Sequence, residues 1–262
     1  GIDFKSLHTG LAAKKVWFFF DKTYVCLGTD ISSRMKNQVL TTVNQCLLNG
    51  QVTVSDADGI HPQERGSRMK KGVRWVVHDR VGYYFLNKEN VILSNQRTEG
   101  SWKIANRQTT TPTDIIQQDV FTLSVDHGSY PNNEGYAYMV VPSADPLSIE
   151  KQVEEEGVVV LANCPDVQAV RHDGLNMAYA VFYKGGTLRI HDKIVVEMDA
   201  PGMLMVKYND AGEILTLGVS DPTRFMKKLH LSVNQRIVGT AQENIQTEWD
   251  GKQALTRISV DL

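Results

Sequence analysis

The chain has 262 residues, 42% of them hydrophobic and 22% charged, which is enough apolar material for a sizeable core and excludes a disordered chain. Its 28 Lys and Arg against 30 Asp and Glu give a formal charge of -2, leaving no basic excess to hold a nucleic acid non-specifically. No run reaches the ~18 apolar residues of a membrane helix, and Gly1-Ile2-Asp3-Phe4 has neither the basic start nor the apolar core of a signal peptide.

The sequence opens without Met and in mid-pattern, and reads as a piece of something longer. Apolar residues then alternate or run in short blocks bounded by Gly, Asn, Asp and Pro, which is the pattern of strands. The first such block holds Trp17, Phe18, Phe19 and Phe20 side by side. Alternation places Trp17 and Phe19 on one face of a strand and Phe18 and Phe20 on the other. Burying one such ring stabilises a fold by about 1.5–3 kcal/mol, so a strand covered on both faces is expected. A Trp17 turned outward on a sugar platform is the alternative.

Strands are predicted over 15–20, 23–28, 73–78, 81–86, 90–94, 119–126 and 135–142. Asp79-Arg80 joins two of them as a tight hairpin. A short helix over 146–154 follows, with Ser143 or Asp145 as cap, and Glu154-Glu155-Glu156 forms its solvated end. Strands resume over 157–162, 167–172, 177–184, 187–190, 194–199, 202–208, 214–219, 228–234 and 254–260, with a turn at Asn209–Gly212. No period of 20 to 50 residues recurs, which excludes propellers and solenoids. The fold class is therefore all-β, with large antiparallel sheets. The pattern resets at Gly185-Gly186, so a large domain over 1–188 and a small β-sandwich over 189–262 are expected.

Nucleotide, zinc-protease and α/β-hydrolase motifs are all missing from the sequence. Cys26, Cys46 and Cys164 have no CxxC spacing and are expected as buried free thiols. Asp56 and Asp58 before Gly59 fall well short of a full oxygen cage, so a structural calcium ion is the sole metal entertained and no cofactor is expected. His127 beside Tyr130, Tyr136 and Tyr138 has the residue types for proton abstraction with a phenol as acid, but the segment reads better as a β-hairpin whose loop the histidine fixes. Arg65, Arg68, Lys70, Lys71 and Arg74 crowd one stretch that reads as a solvated loop, or as a seat for a sulfate or carboxylate. Trp102, in a Gly-bounded segment, is a candidate to stack on a pyranose, as is Trp17.

Four segments carry a resemblance: AAKKVWFFFDKTYVCLGTDIS at 12–32, TTVNQCLLNG at 41–50, HGSYPNNEGYAYMVVP at 127–142 and VSDPT at 219–223. In this order they resemble the C-terminal β half of bacterial polysaccharide lyases that cleave chondroitin, hyaluronan or xanthan, chondroitin AC-type enzymes above all. The resemblance implies a multi-sheet antiparallel supersandwich followed by a small β-sandwich, with an N-terminal α/α toroid as partner. It implies β-elimination beside a uronic acid, with Asn, His, Tyr and Arg of the toroid doing the chemistry. None of those residues is carried over to this chain, so no catalytic residue is assigned here. It further implies a secreted or periplasmic parent enzyme acting on glycosaminoglycan. A stand-alone carbohydrate-binding or scaffolding module, a xanthan-type lyase fragment and a fibre or adhesion domain are the alternatives.

Overall fold

A computed structural model describes residues 1–237 and 244–262. Ten strands form the first sheet: β1 (Ile2–Lys5), β2 (Ala12–Phe19), β3 (Tyr24–Ser32), β4 (Gln38–Leu47), β5 (Val52–Asp56), β6 (Gly59–Pro62), β7 (Ser67–His78), β8 (Val81–Gly100), β9 (Ile116–Ser129) and β10 (Glu134–Pro142). β8, with 20 residues, is the spine. Its first part pairs Val81 to Phe85 with β10, whereas its second part pairs Val91 to Gly100 with β9, which in turn pairs with β4. Register slips between Lys70 and Trp75 in the β7–β8 ladder mark the bend that lets the sheet double over into two leaves. The predicted hairpin is present, and Asp79 and Arg80 both adopt positive φ, 47° and 62°, as a two-residue turn of matching twist requires.

β10 shows why the layers stack. Tyr136, Tyr138 and Val140 face the core shared with the second leaf, among Phe85, Leu93, Phe121 and Leu123. Ala137, Met139 and Val141 face the other way, onto Val170 and the partly buried Val158, Val160 and Tyr179 of the next sheet. Both faces of this strand are dry, so its apolar residues run on without a polar alternate.

Helix α2 (Ile149–Glu156) leads into the rest of the chain and ends at Gly157, whose φ of 60° is left-handed. It starts three residues later than expected: Pro146 lies ahead of it, and Asp145 Oδ1 accepts from the Leu147 N–H instead of capping the helix itself. Two five-stranded sheets follow. One holds β11 (Val158–Cys164), β12 (Val167–His172), β13 (Met177–Phe182), β16 (Gly202–Tyr208) and β17 (Ile214–Ser220). The other holds β14 (Gly186–His191), β15 (Ile194–Met198), β18 (Lys228–Val233), β19 (Ile245–Asp250) and β20 (Leu255–Asp261). They enclose one core, in which Ala180, Phe182 and Leu204 meet Leu188, Val196 and Leu231.

The expected boundary at 188/189 is corrected by this arrangement, because it cuts through β14. The chain crosses between the two sheets of a single sandwich at Gly185-Gly186, where a Cβ on Gly185 would stand 2.6 Å from the Asp199 carbonyl oxygen. The glycines mark a tight crossover, and the division between units falls beside α2. Strand β4 also escaped the sequence reading, since its Thr41, Thr42, Asn44 and Gln45 break the apolar pattern.

In the VSDPT segment, Asp221 ties a turn together by accepting from the backbone N–H groups of Thr223, Phe225 and Met226 and from the Thr223 hydroxyl. Those hydrogen bonds to the charged form, led by that of the Thr223 side chain, hold its carboxyl down to about 2.

The Tyr136 ring packs over Gly28 so closely that a Cβ there would fall 2.1 Å from Tyr136 Cε1. Gly28→Ala is expected to lower stability by about 1–3 kcal/mol, read as the urea midpoint. In a Tyr136→Ala background the same change should cost much less, because the obstructing ring is gone.

Candidate functional site

Three cross-strand rows lead to the aromatic run. Lys15, Gly28 and Tyr136 form one, and Trp17, Cys26, Tyr138 and Phe85 the next. Phe19, Tyr24, Val140 and Tyr83 form the third. All face the side on which the second leaf lies, but that leaf does not reach the β2 end. Along the middle row exposure is 2% at Phe85, 5% at Tyr138 and 1% at Cys26, then 37% at Trp17. Phe19 is 67% exposed, with its ring centroid 5.4 Å from that of Tyr24.

The expectation of a strand covered on both faces therefore holds for one face alone. Phe18 and Phe20 pack against the next sheet, their ring centroids 6.3 and 5.5 Å from that of Tyr179. Phe20 also sets an edge against His172 at 4.7 Å. Trp17 and Phe19 emerge from the end of the core as a shelf. A groove of about 400 Å³ runs along one side of Trp17, lined by Ile2, Phe4, Ala13, Lys15, Leu40 and Thr41 among others. A second, of about 450 Å³, opens between Trp17, Phe19 and the face of the next sheet at Tyr179, Met203 and Met205.

Polar groups behind the shelf are held in place. His127 Nε2 and Thr41 Oγ1 share a hydrogen bond of 2.9 Å. Burial pushes the His127 imidazole down to about 4, and the Lys15 ammonium adds to the effect while Asp126 opposes it. Lys15 lies 5.8 Å from the centre of the Tyr136 ring, and its own desolvation lowers its pKa. Burial raises the phenols of Tyr136 and Tyr138. Tyr130 instead occupies the loop between β9 and β10, 56% exposed with φ of 53°. A neutral, pinned histidine and phenols that resist ionisation make a structural network, but the expected β-hairpin is corrected: β9 pairs with β4 and β8, β10 with β3 and β8, so the loop between them crosses from one leaf to the other, and His127 bonds Thr41 of β4 rather than the loop.

Trp102 heads the single turn α1 (Trp102–Ala105), capped by Ser101, and is 62% exposed. The structure does not bring it to Trp17, whose row ends at Phe85 near the start of β8, while Trp102 lies past the far end of that strand. Four of the five clustered cations are paired with acids: Arg65 with Asp119, Arg68 with Glu64, Lys70 with Asp56 and Arg74 with Glu150. Asp56 also meets His61 Nε2 at 3.1 Å and accepts from the Asp58 N–H, so its carboxylate serves the β5–β6 turn. Among the described residues, no group of three or more His, Cys, Asp and Glu has the geometry to hold a metal ion. Cys26 is buried and Cys46 and Cys164 half-buried, all three free. Glu156 departs from the expected solvated helix end, because it bonds His172 Nε2 at 2.8 Å.

Comparison with known proteins identifies this architecture. The super-sandwich domain of polysaccharide lyase family 8 matches residues 1–153, and the C-terminal β-sandwich domain of the same family matches residues 159–230. The chain belongs to polysaccharide lyase family 8. The two matches meet beside α2, where the sheets divide. Chondroitinase-AC of Pedobacter heparinus is 35% identical over 232 residues, covering 88% of this chain and 32% of that enzyme. A xanthan lyase of a Bacillus species is 27% identical, covering 86% of this chain and 25% of that protein. A solved chondroitinase AC lyase, studied in oligosaccharide complexes, superposes with a TM-score of 0.80 at 34% identity, over 96% of this chain and 34% of that one. The family 8 chain described here thus spans between a quarter and about a third of the length of these relatives.

The His127 geometry has a pH consequence. Its folded pKa of about 4 lies below the ordinary value of about 6.5, so the unfolded state binds more protons between the two. That stabilisation is complete above pH ~6.5 and is lost as the pH falls toward 4, on the order of 2 kcal/mol. Thermal melts from pH 7.5 to 4.5 should show the loss, and His127→Gln, which can still bond Thr41, should flatten it. His78, also lowered by burial, contributes a residual slope of the same sign.

Proposed function

We propose that this chain is the β portion of a lyase that cleaves a uronic-acid-containing glycosaminoglycan, chondroitin or hyaluronan, by β-elimination. The observation that carries the reading is the pair of family 8 domain matches in sequence order, together with 35% identity to a chondroitinase. The xanthan lyase relative is more distant, at 27%, which favours a glycosaminoglycan over xanthan.

Elimination needs a base for the proton beside the uronate carboxylate, an acid for the leaving oxygen, and positive or hydrogen-bonding groups to offset the charge that develops. The one histidine set among tyrosines, His127, is buried, neutral and held by Thr41. In this reading the reacting groups come from an N-terminal α/α toroid. The β portion walls one side of the substrate cleft and supports the toroid, and the parent enzyme works outside the cytoplasm, where polymeric substrates lie. Trp102, with its exposed ring, is the residue positioned to stack on a sugar, and its exposure is also what favours a second reading as a stand-alone carbohydrate-binding module.

The purified 262-residue chain, mixed with chondroitin sulphate or hyaluronan, should give no rise in the ultraviolet absorbance of unsaturated uronide. Sustained turnover would overturn the assignment of the reacting groups to a toroid. Saturable binding of chondroitin oligosaccharide by the chain alone, weakened about tenfold or more by Trp102→Ala with the fold intact, would favour the binding-module reading.

A further inference from the structure

β1 covers half of the strand it pairs with. Its ladder runs from Lys5 opposite Ala12 to Ile2 opposite Lys15, and in that register Gly1 stands opposite Val16. A Cβ on Gly1 would be 3.7 Å from Val16 Cγ2 and 3.8 Å from the Tyr183 hydroxyl, so this position faces the next sheet. Beyond it, Trp17, Phe18 and Phe19 pair with β3 on one side and, among the described residues, with no strand on the other. The Phe20 N–H bonds the Thr23 carbonyl at 2.9 Å. Counting back by twos, Phe18 directs its amide and carbonyl at β3, and Trp17 and Phe19 direct theirs at the open edge.

The space beside that edge has the shape of a strand's path. Its floor is the overhanging face of the second sheet, where Tyr179, Met205 and Gly218 form one cross-strand row and Val181, Met203 and Ser220 another. Its wall is the edge of β2, and its volume is about 450 Å³. The lining is almost wholly aliphatic and aromatic, which suits apolar side chains and offers a sugar few polar partners. An unpaired edge flanked by apolar surface is a template for another strand.

We infer that the open edge of β2 receives an extended polypeptide segment, antiparallel to β2 and in line with β1, opposite Trp17, Phe18 and Phe19. In this register the residue opposite Phe18 points at Met203 and Met205 and is apolar, while those opposite Trp17 and Phe19 lie beside the shelf. The occupant is polypeptide preceding Gly1 in the full-length enzyme, an assignment that rests on the proposed function and on the partial coverage of the relatives. It follows continuously from the interface β1 already makes. Trp17 and Phe19 then belong to a joint within the enzyme rather than to a sugar platform.

The test extends the chain ahead of Gly1 with Ser-Thr-Val-Thr, which sets Val opposite Phe18, and compares it with Ser-Thr-Asp-Thr. Amide hydrogen exchange at Trp17 and Phe19 is followed by NMR. The Val extension should slow both amides about tenfold or more relative to the unextended chain, and the Asp extension should not. Phe19→Lys, at an exposed position, should abolish the slowing without changing the melting temperature of the unextended chain. Equal exchange in all forms, or equal slowing by both extensions, would overturn the inference. Protection in the unextended chain that grows with protein concentration would assign the edge to a second copy and overturn the upstream occupant. Because the readout is exchange rather than turnover, its result is separate from that of the lyase assay.

Discussion

The ring of Tyr136 occupies the space that a side chain at residue 28 would need, and the four-layer stack is built outward from that contact. With Gly28 bare, β3 and β10 pair while the tyrosine lies flat across them, and the His127 ring tilts in at 6.1 Å from its centroid. On the reverse of the same two strands Val25, Leu27, Ala137 and Met139 present a surface without polar groups, which is stable solely if a further sheet covers it. The C-terminal sandwich supplies that cover with Val170 and Tyr179. The two family domains are therefore joined by a core and not by a linker, and α2 is fixed between them by the fully buried Ile149 and by Glu150, which accepts from the Trp75 indole.

Doubling the sheet through β8 explains why the dry interior has an open end. The second leaf is made of β4, β9, the far half of β8 and the first part of β7, and ends at β4, whereas the first leaf continues through β3 and β2 to β1. Rows that begin as core at Phe85 or Tyr83 must therefore run out into solvent at Trp17 and Phe19. The exposed aromatics are the continuation of a packing plane, and their chemistry is that of an interior. A sugar platform sets isolated rings among hydroxyl and amide partners. Here the neighbours are mostly Met, Leu, Ile, Val and Phe, with Lys15, Thr41 and Ser220 the few polar ones besides Tyr179.

Period-two alternation was enough to read the all-β class, and the hairpin at Asp79-Arg80 was legible from its flanking apolar runs. The boundary between units was not, because Gly185-Gly186 carries the composition of a linker while its backbone makes a crossover inside one sandwich. β4 was invisible for a related reason: its Thr41 and Asn44 bond His127 and Tyr83, so polar residues occupy positions where an apolar alternate is looked for. The aromatic run was half legible. Alternation told which rings share a face, but whether a face is covered depends on how far the leaf built from β4, β9 and the far half of β8 extends. The basic stretch illustrates the same limit, since its counter-charges Asp119 and Glu150 come from distant strands and helices.

Those counter-charges also bear on the division of labour in the proposed reaction. A polyanionic substrate whose carboxylate must be offset needs cations or strong donors free to meet it. Arg65, Lys70 and Arg74 already face acids, and Lys14 holds the Pro165 carbonyl at 2.6 Å with Asp30 nearby at 3.9 Å. Redirecting Arg65 or Arg74 would take the cation from an acid, and redirecting Lys70 would take the ammonium from Asp56, whose side chain is 6% exposed. His127 cannot take up the role either, since charging it would place an imidazolium beside the Lys15 ammonium inside the core. Arg65, Lys70, Arg74 and Lys14 are thus committed to partners within this chain, and under the proposed function that commitment favours a uronate met by groups from outside it.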